Sequence, residues 1–137
     1  MILCILNIDK HRKGMAITGF IYLFISLICV LFGAVYELYS HNVYSYYMIY
    51  AFVFPLAGGV LPFFIIAFTK FCLPLRLSLN LYHSGIASLT VGSIFNGVLE
   101  IYGTTNRLVC VYWIIGISFI IAAILAHIIY LIKKGLI

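Results

Sequence analysis

Charge is scarce in this chain. Only 8% of its 137 residues are Asp, Glu, Lys or Arg, and three are acidic: Asp9, Glu37 and Glu100. A soluble domain of this length has too much surface for its volume to hide a chain that is 66% hydrophobic. Proline is also rare, at three residues, and there is no long polar run, low-complexity tract or second polar segment. What these absences leave is a single integral membrane domain.

Catalytic and metal-binding patterns are missing as well. There is no CxxC, HExxH, phosphate loop, nucleophile elbow or haem motif. The four cysteines, Cys4, Cys29, Cys72 and Cys110, fall at different expected depths, so reduced thiols are expected. Cys72 has a juxtamembrane setting that is compatible with palmitoylation, but that setting is unspecific. The apolar start MILCILNI precedes its basic cluster, which is the wrong order for a secretory signal, and it is too short for a lipoprotein leader or a span. It is expected to lie in the interface or under the bundle.

What is present is apolar sequence in four long runs. They are expected to span a membrane at about 15–36, 48–69, 79–101 and 108–132, forming an all-α bundle of four transmembrane helices. The net charge of +5 comes from basic residues that flank these runs. They therefore suit anionic lipid headgroups rather than nucleic acid. Lys10, Arg12, Lys13, Lys70, Arg76, Lys133 and Lys134 fall on one side and Arg107 on the other. The excess of positive charge assigns both termini to the cytoplasm, with the plasma membrane as the expected location. Tyrosines between Glu37 and Tyr47 suit the opposite headgroup layer.

The third run differs from the others. On a helix at 100° per residue, Gly85, Leu89, Gly92, Ser93, Asn96, Glu100 and Gly103 share one face, opposite Ile94, Val98, Leu99 and Ile101. Small residues let helix backbones approach, and an amide or carboxyl in hydrocarbon needs a partner. This face is thus either a packing surface or a polar pathway. In the first run Gly19, Ser26 and Gly33 recur every seven residues and mark a second small-residue face. The second run carries Pro55, Gly58, Gly59 and Pro62, where missing donors and flexible backbone predict a kink or break whose freed carbonyls need a hydroxyl, water or a neighbouring helix.

Two constellations could carry chemistry. Glu37 and Glu100 fall at similar expected depth, and Glu100 can pair with Arg107 across a short turn or act with Asn96 as a cation or proton site. The segments around Glu37 and Glu100 also share a Glu-aliphatic-Tyr ending, an echo that chance explains as well as duplication. His83 and His127 are both expected near the cytoplasmic side and could meet if runs three and four are neighbours, but two histidines without further ligands do not make a metal site. No cofactor and no catalytic set is indicated. The expected role is a non-enzymatic interaction or accessory subunit, working as a homo-oligomer or with a larger membrane partner. The alternative is a small oligomeric transporter or channel using the polar face of run three, and a membrane-embedded enzyme comes third.

Overall fold

The computed structural model describes residues 2–40, 43–68 and 76–133, with side chains from residue 12 onward. Four helices are long and apolar enough to cross a membrane: Arg12–Tyr39, Tyr46–Phe68, Arg76–Ile101 and Arg107–Lys133. The chain is an all-helical membrane protein among its described residues.

Span one is part of α1, an unbroken helix over Ile2–Tyr39. The opening octet continues into it instead of forming a separate segment, because no proline interrupts the backbone before or through the basic cluster. Met15, Gly19, Tyr22, Ser26, Cys29 and Gly33 are its buried residues, spaced alternately four and three apart. This is the seam of a helix that packs along one stripe and leaves the rest to lipid.

Span two is composite. It contains α2 (Tyr46–Ile49), α3 (Val53–Pro55), a π turn over Leu56–Val60 and α4 (Leu61–Phe68). Span three is α5 (Arg76–Ile101), about 39 Å long at 1.5 Å per residue and longer than a bilayer core of about 30 Å. Gly103, at φ 69°, turns the chain after it. The Asn106 side chain then accepts a hydrogen bond from the Leu108 backbone, starting a short 3-10 turn (Arg107–Val109) that feeds α6 (Cys110–Lys133), span four.

Packing is sequential. Span one lies on span two, span two on span three, and α6 makes its helix contacts with α5. The α5–α6 approach is close: a Cβ on Gly85 would lie 2.9 Å from the Gly116 carbonyl oxygen, and one on Gly116 would lie 2.7 Å from Leu89. Small residues here replace side-chain thickness with backbone-to-backbone contact. The two ends of the bundle differ. One, the basic end, carries Arg12, Arg76 and Lys133; the other, the tyrosine end, carries Tyr44, Tyr46 and Tyr102. At the basic end Arg12 donates from Nε to the Ala67 carbonyl at 2.9 Å, placing a cation on the last turn of α4.

Candidate functional site

The small and polar residues of span three do not face one common space. They divide between two neighbours. Gly85 lies against Gly116 and Ile120, and Gly92 against Tyr112 and Trp113, so these two serve span four. Further along, Gly97 lies against the Met48 backbone, and Ser93, 1% exposed, donates to the Tyr47 carbonyl at 2.7 Å. Glu100 accepts from the Ser45 hydroxyl at 2.5 Å, with Ser45 fully buried. Asn96 is half-buried between these two groups. The beginning of span two thus covers the tyrosine end of this face. Met48 is central to that cover, wedged between Gly33 of span one and Gly97 of span three.

Glu100 takes Ser45 and not Arg107 as its partner; after the turn through Gly103, irregular residues 104–106 lead the chain on to Arg107. Glu37 keeps one carboxylate oxygen buried without a hydrogen-bond partner. Near it, the side chains of Tyr36 and Tyr102 interact and join the ends of spans one and three.

The centre of the bundle is a stack of rings that crosses three spans. Phe63 of α4, 2% exposed, Tyr22 of α1 and His83 of α5 form a triangle of roughly parallel rings, with centroids 5.6 Å (Tyr22–Phe63), 5.1 Å (Phe63–His83) and 5.5 Å (Tyr22–His83) apart. The Tyr22 hydroxyl and His83 Nδ1 are hydrogen-bonded at 2.6 Å. A histidine in an apolar core needs such a partner, since an unpaired buried polar atom is costly. Beside the stack the π turn of span two comes close to both neighbours. A Cβ on Gly59 would fall 2.2 Å from Tyr22 Cγ, and one on Gly58 would fall 2.4 Å from Ile86 Cδ1. Glycine is needed at Gly59 for the approach itself, whereas at Gly58 the facing atom is the movable end of Ile86.

The same turn exposes a carbonyl. In an α-helix Gly58 would accept from residue 62, but Pro62 has no N–H. Tyr82 of α5 donates its hydroxyl to the Gly58 carbonyl at 2.7 Å. Pro55 is buried at the start of the turn, and Pro62 is half-buried just after it. The four helix-breaking residues are thereby bound into the packing between spans one, two and three.

The two histidines go to different places. Ser78 donates to the Ala123 carbonyl at 2.7 Å, which fixes the antiparallel register of α5 and α6. His83 lies five residues beyond Ser78 towards the centre, and His127 four residues beyond Ala123 towards the basic end. The pair is therefore separated by roughly 13 Å in depth at 1.5 Å per residue. His127 instead lines a cleft of about 300 Å³ between α4 and α6, floored by α5 and walled by Pro62, Ile66, Leu79, Ile124 and Ile128. Its Nδ1 is buried and has no hydrogen-bond partner. The cleft exists because span four packs on span three but not on the α4 part of span two. Towards the tyrosine end Phe54 and Tyr47 reach across to Trp113, with centroids 5.5 Å and 6.5 Å apart, and close the gap.

Tyr22, Phe63, Tyr82, Ser45 and Ser78 are the residues that the sequence reading did not single out. A tyrosine in the middle of an apolar run was the available signal for Tyr22, since tyrosine otherwise favours the membrane interface. A proline four residues after Gly58 was the signal for an orphan carbonyl that required a donor. Cys29 is buried and Cys110 exposed, both as free thiols, while Cys72 and the Cys4 side chain lie outside the described residues. No family model, curated protein or solved structure matches the chain.

Proposed function

We propose that this chain is a non-enzymatic interaction or accessory subunit of a membrane assembly. It is a multi-pass protein of the plasma membrane with both termini in the cytoplasm. The observation that carries this reading is the division of labour on span three. Its inner small residues are already used by the chain's own helices, yet Asn80, Ser84 and Ala87 form an exposed stripe on its outward side, continued by Val91. An amide and a hydroxyl facing lipid call for a partner helix, and small neighbours let one come close. A second copy of this chain or a larger membrane protein supplies that helix.

Transport along the inner face of span three is the weaker reading. Such a route would have to pass Ser93 and Asn96, where Tyr47 and Met48 already stand. The π turn of span two is read as a fixed bend that lets Tyr22 and Tyr82 pack, with Pro55, Gly58, Gly59 and Pro62 serving structure. Orientation rests on the basic end, which holds Arg12, Lys13, Arg76 and Lys133 against Arg107 at the other.

The test is detergent-stable co-purification from native membranes. A defined partner, or a defined homo-oligomer, is expected for the wild type and is expected to be lost on Ser84→Leu or Ala87→Leu. Recovery of wild type and both variants alike as isolated monomers would overturn the reading. Flux of ions or small solutes in purified proteoliposomes, abolished by Glu100→Gln, would establish the transporter instead.

A further inference from the structure

We propose that two copies of this chain pair in parallel through α5, crossing at Ser84 and Ser88, with the Asn80 amide of one copy hydrogen-bonded to that of the other. This rests on the outward side of span three being an interaction surface, and it names the partner.

Most hydroxyls in the bundle are already engaged. Those of Thr18, Ser26 and Thr90 return to the carbonyl four residues back, and those of Ser45, Ser78 and Ser93 reach another helix. Asn80, Ser84 and Ser88 make no hydrogen bond among the described residues. All three belong to α5 and are four residues apart, so they form one oblique ridge on its surface. Asn80 and Ser84 are exposed, and Ser88 is half-buried. At 1.5 Å per residue the ridge runs from roughly 6 Å to roughly 18 Å beyond Arg76, into the apolar layer. Polar groups at such depth need partners, and an amide, with two donors and an acceptor, needs more of them than a hydroxyl.

Shape determines how a partner helix lies. The exposed side of α5 has Leu77 and Phe95 towards its ends and Ser84, Ala87 and Val91 between them. A small middle between bulky ends suits a helix that crosses at an angle. The ridge Asn80–Ser84–Ser88 runs beside a second ridge, Ala87–Val91–Phe95, and the groove between them can receive the first ridge of another α5. Ridges of this four-residue type pack on each other at about −50°. Close crossings of the same hand in membranes, at about −40°, form over small residues four apart, as Ser84 and Ser88 are.

The chemistry of the ridge selects a second copy. About a twofold axis along the membrane normal, each residue meets its own equivalent at the same depth. An amide is its own complement, giving an N–H and accepting at its carbonyl, and a hydroxyl also does both. A second copy thus supplies every donor and acceptor that the ridge lacks. The crossing splays the helix ends, so the two Arg76 side chains, two turns from Ser84, turn apart. The chain's own helices leave room: α6 packs at Gly85 and Gly92 and span two at Tyr82 and Gly97, all away from the exposed side.

The experiment places the purified full-length protein, alone, in phosphatidylcholine vesicles and reads energy transfer between donor- and acceptor-labelled copies as lipid is added. A saturable dimer is expected. Ser84→Leu is expected to weaken it by about tenfold or more through steric separation of the helices, and Asn80→Leu by at least about threefold, the effect of one hydrogen bond between membrane helices. Both positions face lipid in the single chain, so helical content is expected to hold. Ile17→Ala, on the exposed side of span one, is expected to change nothing. In a background without other cysteines, Ser84→Cys is expected to cross-link on oxidation and Ile17→Cys is not. Monomers at every dilution would overturn the pairing. Recovery of a different membrane protein from native membranes, lost on Ser84→Leu, would then leave the interaction surface standing with another occupant. Dimers unaffected by both leucine variants, or cross-linked through Ile17→Cys and not through Ser84→Cys, would also overturn the proposal.

Discussion

The hydroxyl of Tyr82 takes the place of a backbone donor that Pro62 cannot provide, binding the Gly58 carbonyl at 2.7 Å from a different span. The helix break and its repair lie on separate segments. Span two can leave α geometry in the apolar layer because span three carries the missing hydrogen-bond donor to the right place.

Tyr82→Phe is accordingly expected to lower stability by about 0.5–2 kcal/mol, the range for a hydrogen bond between membrane helices up to the cost of a buried orphan acceptor. Unfolding in mixed detergent micelles, followed by circular dichroism, measures it. Pro62→Ala returns an N–H near Gly58, so adding it to Tyr82→Phe is expected to recover part of the loss. A double variant no more stable than the single one would show that the proline is not the reason for the bond.

Gly59→Ala is expected to be among the most damaging single-methyl changes, costing about 2–3 kcal/mol or more. Its Cβ would overlap Tyr22 at the ring and at Cβ, with no flexible end to move aside. Gly14→Ala is the control. It meets nothing within 4 Å and is expected to stabilise the helix by up to about 1 kcal/mol through propensity alone. The same unfolding assay separates the two.

Tyr22 and His83 are expected to be strongly coupled. Tyr22→Phe leaves the histidine nitrogen unpaired, and His83→Phe leaves the tyrosine hydroxyl unpaired, so each is expected to cost about 1–2 kcal/mol. Both together remove both polar atoms from the ring stack. The double variant should be less destabilised than the sum of the singles by about 1 kcal/mol. Additive losses would mean that the 2.6 Å contact contributes nothing.

Arg12→Gln is expected to loosen the basic end without affecting the centre. Its Nε–H bond to the Ala67 carbonyl holds α1 against the last turn of α4, and a cation there also suits the helix dipole. Amide hydrogen exchange is expected to accelerate in residues 61–68 and to stay unchanged in residues 85–97.

The fold was largely readable because hydrophobic length is a one-dimensional property. Four apolar runs give four helices long and apolar enough to cross a membrane, since a bilayer accepts little else. The octet MILCILNI is too short to span, yet its backbone continues into α1 through Lys10–Lys13, because charge ends a span without ending a helix. The candidate site was less legible. Gly85 and Ser93 share a helical face, but a face about 100° wide can be divided between two neighbours, and periodicity does not tell them apart. Ser45 lies in what reads as a loop, so its approach to Glu100 depends on how span two begins. His83 and His127 could meet on sequence grounds, since both fall near the basic end of neighbouring runs; the register set by Ser78 and Ala123 holds them apart.

Span four is fastened mainly to span three, by glycines that bring its backbone onto that helix, with Phe54 and Tyr47 of span two reaching it at Trp113. A single methyl at Gly85 would meet Ile120 and the Gly116 carbonyl, and one at Gly116 would meet Leu89 and the Gly85 carbonyl, so either pushes the two helices apart where they touch. The first three helices, knotted by the Tyr22–Phe63–His83 stack, would keep their arrangement while the fourth drifts. In assembly terms the molecule is a three-helix body with an outrigger, and the lateral cleft behind that outrigger widens or vanishes with its position.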